Sequence, residues 1–239
     1  IAPLAAMSWS RLLPCFSTCQ RRTLSVLDPI KQALVLNLSY VLHEPSTSSE
    51  IHAAVRTLQT THRRVQRATQ RLASLSDEAV IPYVVPHHEH ALQLLQSTAP
   101  HSIHLLTLTL GAWQLLPRLI ALHTYQSKPT VWVLERLPMV GPARDRPFLL
   151  FRAPTRLALP EALLDNAVPV WFATAAFRPG WQSVLLHLCP LPEQPTERLT
   201  MLGQSIEEVL RNFWPQWYPE RALWPAPAEV VLPEFRDEG

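Results

Sequence analysis

The chain has 239 residues, 47% of them hydrophobic and 17% charged, with a formal net charge of +2 and a mean hydropathy of +0.03. That is the composition of a globular protein with a sizeable core, and the small net charge argues against nucleic acid as the partner. Three cysteines are too few for a disulfide framework, and no run of about 18 uninterrupted apolar residues offers a membrane span.

The first acidic residue is Asp28. Residues 1–27 contain Arg11, Arg21 and Arg22, several Ser and Thr, and apolar side chains around Trp9, Leu12, Leu13 and Phe16. A basic, hydroxyl-rich, acid-free stretch has the composition of a mitochondrial transit peptide. Met7 would be its initiator, and Pro14 with the polar 17–22 segment interrupts the apolar core that a secretory signal needs. The expected location is the mitochondrial matrix. Cys15 and Cys19 would leave with the presequence, and Cys189 alone would remain, in keeping with a reducing compartment.

Residues 28–77 predict a helical arm. Asp28-Pro29 is a helix start, followed by apolar residues through Leu42, and the Pro/Ser/Thr-rich stretch Glu44 to Glu50 reads as a linker. The clearest helix follows, with Ser48 or Ser49 as its cap. Ile51, Val55, Leu58, His62, Val65, Thr69 and Leu72 recur at alternating four- and three-residue spacing and lay one seam along it. His62 and Thr69 interrupt the seam and argue against a long coiled coil. The opposite surface carries Arg56, Arg63, Arg64, Arg67 and Arg71, with no acid between Glu50 and Asp77. A solvated face accounts for these arginines, and so does a docking face for an acidic protein partner.

From residue 78 the pattern shortens. Val80 to Val85 reads as a strand ending at Pro86, His87 to Ala99 as a helix, and Ile103 to Leu110 as a strand alternating apolar residues with Thr. A helix over Trp113 to Tyr125 follows. Thr130 to Leu134, Phe148 to Arg152, Val168 to Ala173 and Ser183 to Leu188 are further strands. Thr196 to Trp214 is a helix burying Leu199, Leu202, Ile206, Val209, Leu210 and Phe213. Past it, prolines interleave with Trp217, Tyr218 and Trp224, so residues 219–239 are expected to wrap the domain as an irregular tail. The expected fold is α+β: a mostly antiparallel or mixed sheet packed by helices over 78–218, preceded by the N-terminal helical arm.

Candidate chemistry is sparse. His87, His88, His90, His101 and His104 cluster with Glu89, but no thiol or further acid completes a metal shell, so structural or solvated roles are expected, with no metal and no cofactor. Cys189 precedes Pro190 at a strand end and reads as a buried, inert thiol. No nucleophile elbow, phosphate loop or dinucleotide pattern occurs, and with 24 Pro against 5 Gly few positions have the backbone freedom to wrap a phosphate. A non-enzymatic protein is expected.

Three segments in order resemble the mitochondrial assembly-factor family that chaperones the β subunit of the ATP synthase catalytic head. Val84-Val85-Pro86 with the following helix and Ala99-Pro100 is similar to that family's opening. Phe151 to Pro169, ending in Asn166-Ala167-Val168-Pro169, is similar to its strand and connector. Val184-Leu185-Leu186 with the helix closing at Phe213-Trp214 is similar to its last strand and helix. The resemblance spans roughly residues 78–218. It implies a cofactor-free chaperone that shields unassembled β subunit from aggregation. A structural accessory subunit of a mitochondrial respiratory or ribosomal complex is the alternative.

Overall fold

The computed structural model describes residues 29–98, 103–124, 129–136, 148–155, 157 and 169–224. Residues 1–27, expected to be a presequence, His101, most of the 151–169 connector and the tail beyond 224 lie outside the described residues.

Two helices open the described chain: α1, Pro29–Leu42, and α2, Ser49–Ala73. The Ser48 hydroxyl accepts the Ile51 N–H at 3.2 Å and fixes the start of α2. The seam is buried as its spacing requires at Ile51, Val55, Leu58, Val65, Thr69 and Leu72. Half-buried His62 completes it by stacking on Tyr218, ring centroids 3.8 Å apart.

Next come the single turn α3, Asp77–Val80, then β1, Val84–Pro86, and α4, Glu89–Thr98. The expected strand over 80–85 is therefore corrected to 84–86. The Ser76 hydroxyl caps a helical turn at the Ala79 N–H, and a 3-10 turn at Ile81–Tyr83 holds Pro82, which has no N–H for a ladder. The helix expected from His87 begins two residues later, because the His87 N–H donates to Leu186 O at 2.8 Å and extends the sheet.

The remaining elements are β2, His104–Thr107; α5, Leu116–Thr124; β3, Thr130–Val133; β4, Leu149–Leu150; β5, Ala153–Pro154; β6, Val170–Phe177; β7, Val184–Pro190; and α6, Pro195–Phe213. One five-stranded sheet has the order β1-β7-β6-β2-β3. It is mixed: β6 and β7 pair antiparallel, and the other three pairs are parallel. The segment expected as a strand over 148–152 does not join it. Phe151 and Arg152 both adopt left-handed φ, 52° and 61°, and turn the chain into the separate β4–β5 hairpin.

Every residue of β6 is buried, so its near-continuous apolar run is that of a central strand covered on both faces. Trp171, Ala173, Ala175 and Phe177 join one core with α2, α4 and α5, while Phe172 and Ala176 join the other with α6. A third cluster holds α1 against the first half of α2, sealed by Trp214 and Tyr218. Arg118 on α5 ties the far end of α2 down, donating to Ala73 O at 3.2 Å and Leu75 O at 2.6 Å and pairing with Asp77 at 2.8 Å. The helical arm is thus packed along the body. Among the described residues no helix is long and apolar enough to cross a membrane.

Candidate interaction surface

Because α2 buries its seam along its whole length, the side facing away is presented on a rigid rod. Arg56, Arg63, Arg64, Arg67 and Arg71 are all exposed, and among the described residues none forms an ion pair. They do not act as one group. All five project from the side away from the seam, but the Arg64 guanidinium lies 4.7 Å from the centre of the Trp181 ring, which leaves Arg56, Arg63, Arg67 and Arg71 as the stripe. Trp181 reaches it from the β6–β7 turn, where Gly180 and Trp181 take φ of 88° and 64°. Arg64 therefore staples α2 to the sheet. The exposed Thr57 and Thr60 hydroxyls turn back onto Ala53 O and Arg56 O of their own helix.

The histidine cluster is only partly brought together. Parallel pairing of β1 with β7 sets His87 beside His187, their Nδ1 atoms 2.9 Å apart. The ring centroids are 5.2 Å apart, which is what two ring radii plus that gap amount to in a straight line. Each nitrogen points at the other, as in an N–H···N hydrogen bond, and not at a shared third point where an ion would sit. Among the described residues no three His, Cys, Asp or Glu side chains are grouped to hold a metal. The His88 ring lies tilted against His87, centroids 4.1 Å apart, His90 is exposed, and His104 Nδ1 accepts from Trp132 Nε1 at 2.9 Å. Burial lowers the His187 pKa to about 4, helped by His87 and His88 and opposed by Glu208. Its Nε2 is buried without a hydrogen-bond partner.

Cys189, expected to be buried, is half-buried and receives a hydrogen bond from the Ser205 hydroxyl at 3.3 Å. Burial raises its pKa, the opposite of what a nucleophilic thiolate needs.

The polar residues with the most consequence were not singled out by spacing. Glu135 is 4% exposed and accepts from Thr109 N–H (3.0 Å), Thr109 O–H (2.9 Å) and Trp217 Nε1–H (2.7 Å). Burial raises its pKa against the pull of those bonds. Asn37, fully buried in α1, donates to Arg221 O at 2.9 Å and accepts from Leu223 N–H at 2.8 Å. Arg198 lies on the buried side of α6, donating to Pro192 O at 2.7 Å, while the expected Leu199 is half-buried. One signal for Glu135 was present: it is the sole acid between Glu89 and Asp145, and it follows an apolar strand.

These contacts define the class as far as fold and surface go: a mixed-sheet α+β protein with a cationic helix face, its buried acid and amide holding its own C-terminal segment. No protein-family model matches the sequence, and comparison with curated proteins finds no match.

Proposed function

We propose that this protein is a cofactor-free, non-enzymatic assembly factor of the mitochondrial matrix that chaperones the ATP synthase catalytic head, shielding unassembled β subunit from aggregation. The observation that supports this reading is a pairing in the sheet. Val84, Val85 and Pro86 lie in register with Val184, Leu185 and Leu186, so two of the three segments that carry the family resemblance are hydrogen-bonded neighbours. Each also runs into its own helix, α4 and α6, as the resemblance implies.

The accessory-subunit reading drew on a Pro/Trp tail that wraps the domain. Trp217 and Trp224 are fully buried in this chain's own core, which is compatible with either reading. The test is capture of the full-length protein from mitochondria, paired with its depletion. Capture of free β subunit and loss of assembled ATP synthase are expected. Normal assembly after depletion, or stoichiometric co-purification with a finished complex, would sink the chaperone reading.

A further inference from the structure

We infer that the α2 stripe Arg56-Arg63-Arg67-Arg71 is the docking surface for an acidic helix of a protein partner, laid lengthwise along α2. The inference rests on the protein being a binding factor and adds where and what it binds.

The stripe is costly as it stands. Arg63, Arg67 and Arg71 follow one another at four-residue spacing, which sets like charges on successive turns and weakens a helix when no acid intervenes. None intervenes: residues 51–76 contain no Asp or Glu. The neighbouring hydroxyls are turned back onto their own backbone, so among the described residues nothing on the face offsets the charge. An acidic partner would relieve this repulsion and complement the field.

Shape and spacing select a helix among acidic partners. From Arg56 to Arg71 the stripe runs roughly 22 Å along a convex rod at about 1.5 Å per residue. Arg63, Arg67 and Arg71 recur about every 6 Å, the spacing of carboxylates four residues apart on a second helix. All four side chains are Arg, whose fork pairs with carboxylates bidentately. Arg64 is absent from the stripe because it is stacked on Trp181, and that staple fixes the rotation of α2 about its axis. A nucleic acid fits less well: α2 carries no Phe, Tyr or Trp on which bases could stack, and the whole chain carries only +2.

The test uses the full chain and three probes: a monomeric Ala-rich helical peptide with Glu at every fourth position, its composition-matched isomer with the Glu scattered around the helix, and an oligouridylate. Binding is measured by fluorescence anisotropy across a salt series. The patterned peptide is expected to bind tightest, with affinity falling as salt rises. R63A/R67A/R71A is expected to weaken it about tenfold, and R63E/R67E/R71E to abolish it, both with unchanged far-UV circular dichroism. Equal binding of the two peptides, tighter binding of the oligouridylate, or no effect of the alanine triple would overturn the inference. Capture of β subunit by a charge-reversed protein would likewise overturn it while leaving the chaperone reading intact.

Discussion

Glu135→Ala probes the link between the sheet and the C-terminal segment. The carboxylate is fully buried and collects donors from two places far apart in sequence: Thr109, just past β2, and the Trp217 indole beyond α6. Removing it leaves the Trp217 Nε1–H and the Thr109 N–H without that acceptor, whereas the Thr109 hydroxyl still reaches Tyr218 O at 3.3 Å. Two buried, unsatisfied donors at about 1–3 kcal/mol each predict a loss of about 2–6 kcal/mol, a large share of the total stability of a domain this size. Urea denaturation followed by circular dichroism measures it. Glu135→Gln keeps an acceptor oxygen and is expected to lose less than half as much. The two variants also separate charge from geometry. Burial raises the Glu135 pKa in the folded state, so its contribution is fully present below the unfolded carboxylate value and is lost as pH rises through the folded one. Glu135→Gln should remove that decline. A loss below about 1 kcal/mol for Glu135→Ala would refute the idea that these bonds hold the segment down.

Three further outcomes follow from the geometry. Gly111→Ala would place a Cβ 2.2 Å from Ala175 O at a backbone with φ of +58°, so a loss of several kcal/mol, about 3 or more, is expected in urea melts, with little far-UV change in what still folds. Asn37→Leu keeps the branched shape but removes the acceptor of Leu223 N–H and one donor to Arg221 O; a loss of about 2–5 kcal/mol and faster proteolytic cleavage near residues 219–224 are expected. His187 has its pKa lowered to about 4 from 6.5, so its contribution is present above the unfolded value and is lost as pH falls through that window. His187→Phe should flatten the fall in stability between those pH values, and an unchanged slope would contradict a buried, neutral His187.

Much of the fold was legible locally. The α2 seam, the Ser48 cap and the α6 periodicity are written in spacing, and each lies within a residue or two of its expected place. Failures came where a neighbour distant in sequence decides. Nothing around Phe148 to Arg152 marks a hairpin, since neither turn residue is Gly or Asn, and the buried contact of Phe151 N–H with Glu207 at 2.7 Å comes from α6. The candidate site divides in the same way. The run of arginines without acids was visible directly, but the loss of Arg64 to Trp181 was not, because the two are more than a hundred residues apart.

By itself the sequence determined the periodic elements, the cationic face opposite the α2 seam and the thiol-poor, glycine-poor character of the domain. These depend on side-chain order within one or two helical turns. Tertiary structure alone decided which strands neighbour one another, that His187 would meet His87, and that Glu135 and Asn37 would clasp the C-terminal segment. Such pairings join residues that share no local pattern. They exist because burial forces each polar group to find a partner, wherever in the chain that partner happens to lie.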